Sequence, residues 1–208
     1  MSLIRPANPQ WMEPDQPPSE HELAGKVSVA IFRSFDRLLS QEKPVPTLFC
    51  ELVNKLNKFF SICKASLILH NSYTGTLALT SWWDRYCFKE GVIISLPREN
   101  SLLYATLKSQ SVVQESINGQ VPGNFVEQKL LISEETQALA VCPAVFEDAV
   151  HGLVVLASPV PGAFDMMQQG YFELVFERFG ELLAKKTPSD VWERIYRNES
   201  DMEMLVTS

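Results

Sequence analysis

Residues 138–164, ALAVCPAVFEDAVHGLVVLASPVPGAF, constrain the fold more than any other part of this sequence. Two apolar runs rich in β-branched residues, 139–146 and 152–157, flank the polar pair Glu147-Asp148. This pattern predicts two adjacent antiparallel strands. The Pro161-Gly162 pair predicts that the second strand ends there and that a helix follows. The chain is therefore expected to build an antiparallel sheet around this hairpin.

The segments before the hairpin alternate between helical and strand periods. Apolar residues spaced three or four apart predict helices, and strict alternation predicts strands. The first segments are two helices, at 23–39 and 48–60, the second of them capped by Thr47. Three strands follow, at 65–70, 76–82 and 91–96, and then a short helix capped by Asn100 or Ser101, a brief strand at 112–113 and a short helix at 125–132. After the hairpin, a long helix begins at Asp165. This order predicts an α+β domain.

Composition narrows the classes of function. Of the 208 residues, 46% are hydrophobic and 21% charged, and no apolar run approaches the ~20 residues that span a bilayer, so we expect no membrane segment. A formal charge of −7 opposes nucleic-acid binding, which needs clustered cations. The four cysteines form no CxxC pair, which indicates neither a zinc site nor a disulfide framework. With no secretory signal pattern at the N-terminus, we expect a cytoplasmic protein.

The two ends of the sequence differ from its middle. Residues 1–22 are rich in proline and predict a disordered arm, and residues 23–186 carry the domain pattern. Residues 187–208 have a thin apolar stripe, which fits either a frayed surface tail or a helix that pairs with a second subunit. A solvated tail would expose a large apolar surface on Trp192, Ile195 and Tyr196, so we favour a signalling or dimerisation helix.

Three motifs resemble the GAF domain, a sensory and regulatory module. Residues 139–143 are similar to the family's strand that ends in an apolar-Pro step, 152–156 to its Gly-opened next strand, and 161–165 to the entry of its last helix. The resemblance covers residues 23–186. It implies a five- or six-stranded antiparallel sheet with helices on both faces, long N- and C-terminal helices packed together on one of them, and a small-molecule pocket. It also implies dimers that signal through the terminal helices.

The sequence departs from the better-defined branches of that family. Residues 57–60, NKFF, lack the acidic end of the NKFDE motif of cyclic-nucleotide-binding members. No cysteine stands in a bilin-attachment context, and Cys87 and Cys142 do not match the clustered cysteines of the methionine sulfoxide reductase members. No phosphate loop, GxGxxG, HExxH or GxSxG motif is present. We therefore expect that the chain is not an enzyme. Thiol redox chemistry is the one visible route to an activity, and no motif identifies a cofactor.

Two features supply candidate ligand-binding residues. Strict alternation places four small side chains, Ala138, Ala140, Cys142 and Ala144, on one sheet face, where they either seat a helix closely or leave space for a ligand. The aromatic segment 82–88 either closes the rim of the core or forms a wall for a flat ligand, with Arg85 or Arg98 binding an anion. The predicted ligand-binding residues are Trp82, Trp83, Arg98, Ser101, Phe125, Ala140 and Cys142.

Two functions follow from this pattern. The first is a sensory domain that binds a small molecule between the sheet and residues 97–132 and transmits its state through the terminal helices of a homodimer. The second is a ligand-free dimerisation or protein-interaction module of the same fold. Neither involves nucleic acid or a membrane.

Overall fold

The computed structural model describes residues 20–117, 122–165 and 170–187. Most of the predicted N-terminal arm and all but the first residue of the predicted C-terminal tail lie outside these ranges. Within them the helices are α1 (Glu20–Leu39), α2 (Val45–Phe60), α3 (Leu102–Ser109), α4 (Phe125–Leu131) and α5 (Gly170–Lys186). The strands are β1 (Lys64–Asn71), β2 (Thr76–Asp84), β3 (Phe88–Ser95), β4 (Val113–Ser116), β5 (Ala138–Phe146) and β6 (Ala149–Ser158).

The six strands form one sheet in the order β3-β2-β1-β6-β5-β4, and all neighbouring strands are antiparallel. Two hairpins, β1-β2 and β5-β6, meet where β1 pairs with β6 in the middle of the sheet. Helices α1, α2 and α5 pack on one side, and α3 and α4 on the other. The predicted α+β fold, with an antiparallel sheet and helices on both faces, is confirmed.

The hairpin predicted from residues 138–164 is β5 and β6. Its two turn residues, Glu147 and Asp148, have φ angles of 50° and 58°, as a two-residue turn with the twist of the strands requires. Pro143 is tolerated inside β5 because β4 pairs only as far as Val141, so the missing N–H breaks no ladder bond to β4. β6 begins at Ala149, three residues before the predicted run, because Ala149 already pairs with Phe146.

One face of the sheet, here called the helix-layer face, carries the larger apolar core. Alternate residues of the strands meet α1, α2 and α5, whose phenylalanines fill the layer; Phe60 and Phe172, for example, have ring centroids 4.8 Å apart. Burying each such ring contributes about 2–3 kcal/mol, so this layer accounts for much of the driving force for folding.

The opposite side, here called the α3–α4 face, carries a second apolar cluster. Leu79, Ile68 and Leu153 line up across the sheet, and Leu103 of α3 and Leu131 of α4 cover them. The two covering helices are short, with eight and seven residues.

Several predicted boundaries are wrong. The second helix begins at Val45 after the cap residue Pro44, not after Thr47, because Pro46 fits the first helical turn, where its missing N–H is not needed. The strand predicted at 76–82 continues to Asp84, and the strand predicted at 91–96 already starts at Phe88.

Candidate functional site

The small-residue side of β5 faces the helix layer. Ala140 and Cys142 are fully buried in the cluster that α5 completes. A methyl group added to Gly180 of α5 would lie 2.5 Å from the carbonyl oxygen of Val145, so helix and strand touch through their backbones. Ala140 and Cys142 therefore lie in the packing between β5 and α5, as the first of the two interpretations expects, and ligand binding at these positions stays a prediction.

Trp82 and Trp83 lie on opposite faces because consecutive residues of a strand alternate. Trp83 pairs with Ala65 in the helix-layer cluster and its Nε1 donates to Asn54 Oδ1 at 3.2 Å. Trp82 packs against the α3–α4 cluster instead. Trp83 therefore lies in the helix layer, whereas Trp82 lies on the face that the two short helices cover.

The other three predicted residues lie on the segment that covers the α3–α4 face, with different environments. Arg98 donates to the carbonyl oxygens of Thr74 and Gly75 at 2.8 and 3.1 Å, so its guanidinium holds the β1-β2 turn. Ser101 caps α3 and accepts a hydrogen bond from the Tyr104 N–H. Phe125 is 70% exposed at the start of α4. The seven predicted residues therefore do not converge on one pocket.

A buried carboxylate that the sequence analysis missed joins the two short helices. Glu127 of α4 is 2% exposed and accepts hydrogen bonds from the Ser101 hydroxyl, from the Leu102 N–H at 2.9 Å and from the Asn124 N–H at 3.3 Å. The Asn124 side chain in turn accepts from the Glu127 N–H, which completes a capping box. The spacing Asn124-x-x-Glu127 signals that box, but nothing in the sequence signals the contact with α3. We call this arrangement the Glu127 clasp.

Lysine and serine side chains lie at the end of this face where β1 begins. Lys64 and Ser66 are two residues apart on β1 and so share a face, and Ser66 pairs directly with Trp82. The Lys64 ammonium donates to the carbonyl oxygen of Ile132, just after α4, at 3.4 Å. Loss of water around the partly buried side chain lowers the pKa of Lys64, although the nearby Asp84 charge raises it.

Asp84 closes the turn that follows β2. Partial burial acts to raise the pKa of Asp84, but hydrogen bonds from the N–H groups of Tyr86 and Cys87, each 2.8 Å long, and from the Cys87 thiol lower it overall. The carboxylate is therefore fixed in its own turn.

The cysteines occupy separate environments. Cys63 and Cys142 are buried, Cys50 is half-buried and Cys87 is exposed. Burial raises the pKa of Cys142 strongly, and the hydrogen bond to Asp84 raises the pKa of Cys87, because both favour the protonated thiol.

The described residues hold no group of three or more His, Cys, Asp or Glu side chains that would suit a metal ion. Among these same residues, no helix is both long enough and apolar enough to cross a membrane.

Neither a protein-family model nor a curated protein sequence matches this chain. Solved structures do. The GAF domain of a phosphoenolpyruvate-protein phosphotransferase from Acinetobacter is 13% identical, with a TM-score of 0.58 over 76% of this chain and 93% of that chain. The GAF domain of a two-component sensor histidine kinase from Bacillus halodurans is 16% identical, with a TM-score of 0.53 over 64% of this chain and 89% of that chain.

A third structural relative corrects one prediction. Free methionine-R-sulfoxide reductase from Neisseria meningitidis, in complex with its substrate, is 10% identical, with a TM-score of 0.58 over 77% of this chain and 90% of that chain. The expectation that the chain is not an enzyme is therefore wrong as it was stated, because the same fold also occurs in enzymes.

The architecture and the structural relatives agree. The structural match extends over most of the length of these two GAF domains, 93% and 89% of their chains. The described part of this chain is therefore a domain with the GAF fold.

Proposed function

We propose that this chain is a sensory or regulatory domain that binds a small molecule on the α3–α4 face and passes the bound state to α5. The observation that carries the proposal is the Glu127 clasp. It joins α3 and α4 into one cover through a carboxylate that accepts bonds from both helices. Two short helices tied to each other in this way can shift together over the sheet when a ligand enters.

β5 provides a route from this face to the helix layer. Leu139 and Val141 point to the α3–α4 cluster, while Ala140 and Cys142 point to α5. Because α5 touches the backbone of β5 near Gly180, a displacement of that strand moves the helix.

The helices α1 and α5 are coupled in turn. Arg178 Nε donates to Asp36 Oδ1 at 3.0 Å, and Lys186 Nζ donates to the carbonyl oxygen of Gln41 at 3.0 Å. With Phe172 beside Phe35, these contacts show that the two helices run in the same direction. The GAF domain of a sensor histidine kinase among the structural relatives supports a signalling role.

Native mass spectrometry of protein purified from its own host tests the ligand. We expect a retained small molecule whose mass is lost on denaturation, together with hydrogen exchange in α3 and α4 that quickens when the molecule is removed. A protein that carries no additional mass, and whose exchange in α3 and α4 does not respond to a metabolite extract of the host, would contradict the proposal.

We propose further that the protein forms a homodimer through its terminal helices, residues 187–208 included. Gel filtration of the whole chain and of a chain ending at Thr187 tests this. A smaller assembly is expected after truncation, and an unchanged elution volume argues against the tail as an interface.

A second candidate function is a ligand-free interaction module. It is favoured by three apolar residues that remain about half exposed on the helix layer, Val29, Phe59 and Leu174. The native mass measurement separates the two candidates. The Phe59→Glu variant is expected to abolish association in this second case while leaving the α3–α4 face intact.

A further inference from the structure

The hydroxyl of Ser66 is an unusual group on the α3–α4 face. Ser66 is 1% exposed, and its Oγ makes no hydrogen bond within the described part of the chain. Buried hydroxyls are normally paired, because an unpaired one has lost its water without replacement. Ser66 therefore offers a donor to any acceptor that enters beside it.

An indole ring lies next to this hydroxyl. Trp82 is the cross-strand partner of Ser66, and Val155 is its partner on the other side. Directly opposed side chains in an antiparallel pair have Cβ atoms about 5 Å apart, so hydroxyl and indole belong to one surface. Trp82 remains partly exposed, whereas its neighbour Trp83 is sealed in the helix layer.

Two ammonium groups flank the indole. Lys64 is two residues before Ser66 on the same face, and its one long hydrogen bond, 3.4 Å to a carbonyl oxygen, leaves most of its donor capacity available. Lys89 is the other cross-strand partner of Trp82 and places its Nζ 5.2 Å from the centre of the ring.

Acidic groups near Lys64 do not neutralise it through an ion pair. Asp84 is its cross-strand partner, but that carboxylate is bound by the turn that follows, and no ion pair within 4 Å joins the two among the described residues. Glu135 instead faces Arg85 at 3.8 Å. Glu115 lies in the same row but three strands away, roughly 14 Å at the usual strand spacing.

We propose that Lys64, Ser66 and Trp82 form a subsite for a small carboxylate with a flat apolar body. The carboxylate accepts from the Lys64 ammonium and the Ser66 hydroxyl, and the flat body packs on the indole. The proposal rests on the proposed function, since it names the chemical class of ligand that the α3–α4 face takes.

Benzoate serves as the probe, with benzamide as its uncharged analogue and inorganic phosphate as an anion without a ring. The readout is the ¹⁹F spectrum of the full chain labelled with fluorotryptophan, with the Trp82 resonance assigned from Trp82→Phe. Benzoate is expected to shift that resonance saturably with a Kd of about 1 mM, and benzamide to bind about 10-fold more weakly because it lacks the charge.

The variants Lys64→Met and Ser66→Ala test the two donors. Benzoate affinity is expected to fall about 30-fold in the first and about 5-fold in the second, and to survive in Lys64→Arg, which keeps the charge. The matched controls are Lys58→Met and Ser72→Ala, which remove the same groups from exposed positions and should leave affinity unchanged. Circular dichroism confirms that each variant is folded.

Four outcomes overturn the subsite, the first three of which concern benzoate. They are no saturable shift with benzoate, equal affinity for benzamide, and a benzoate affinity that Lys64→Met leaves unchanged. Binding of phosphate as tight as that of benzoate also overturns it, because the ring would then contribute nothing. A retained host molecule in the native mass measurement together with any of these results refutes the subsite and leaves the sensory function standing.

Discussion

Replacing Glu127 by alanine tests the clasp that joins α3 and α4. The substitution removes the acceptor of two close hydrogen bonds, from the Ser101 hydroxyl and the Leu102 N–H, and of two longer ones, from the N–H groups of Leu103 and Asn124. At ~1.5 kcal/mol for each close bond to a charged group and ~0.5 kcal/mol for each long one, the free energy of unfolding should fall by about 4 kcal/mol.

Urea unfolding measures this change directly, and calorimetry should show a Tm lower by about 8–16 °C for a chain of this length. The Glu127→Gln variant keeps one acceptor oxygen but turns an NH2 group toward the donors, so it should lose about 2 kcal/mol. Hydrogen exchange should quicken first at the start of α3, where the Leu102 and Leu103 N–H groups lose their partner.

The matched control is Glu134→Gln, which removes a nearby exposed carboxylate and should change stability by less than ~0.5 kcal/mol. A loss below ~1 kcal/mol in Glu127→Ala would refute the reasoning, because it would mean that water or relaxation replaces the clasp at little cost.

Three further predictions test other parts of the structure. Gly180→Ala should destabilise the protein by about 2 kcal/mol in urea unfolding, although alanine favours helix, because its methyl group would lie 2.5 Å from the Val145 carbonyl oxygen; equal or higher stability would contradict the close contact. A thiol reagent should modify Cys87 in the native protein. If the Cys87→Ser variant reacts with the reagent as the native protein does, another cysteine is accessible and the prediction is wrong. Hydrogen bonds, chiefly from Lys185, lower the pKa of Glu181 in the folded protein. The Glu181 carboxylate therefore contributes stability above its unfolded-state pKa, and this contribution is lost as pH falls through the folded-state pKa. Glu181→Gln should reduce the free energy of unfolding more at pH 7 than at pH 3, and an equal reduction at both would refute the charge effect.

Alternation within β5 was enough to predict which residues share a face. It correctly grouped Ala140 and Cys142 apart from Leu139 and Val141. It did not decide what covers the small residues, because the answer depends on Gly180, which is distant in sequence and reaches β5 only in the folded chain. The alternation of residues in the sequence predicts which side chains share a face of a strand. Which element packs on that face depends on tertiary contacts, which the alternation does not record.

The aromatic segment 82–88 shows that residues adjacent in the sequence need not form one cluster in the fold. Trp82 and Trp83 look like a cluster in the sequence, yet any extended backbone must direct them to opposite faces once β2 includes both. The capping box of α4 was present in the sequence as Asn124-x-x-Glu127, but the same carboxylate also serves Ser101, and only folding brings that residue near. Ser66 was missed because its distinguishing property is that its Oγ has no hydrogen-bond partner among the described residues, which no sequence pattern records.

The meeting of β1 with β6 in the middle of the sheet has a consequence for how fast the chain folds. Ala65 pairs with Leu156, so this contact closes a loop of roughly 90 residues at an entropic cost near 4 kcal/mol, against about 1 kcal/mol for the two-residue turn of the β5-β6 hairpin. We therefore expect the β1-β2 and β5-β6 hairpins to form early and the pairing of β1 with β6 to limit the folding rate. Until these two strands pair, their apolar edges remain exposed.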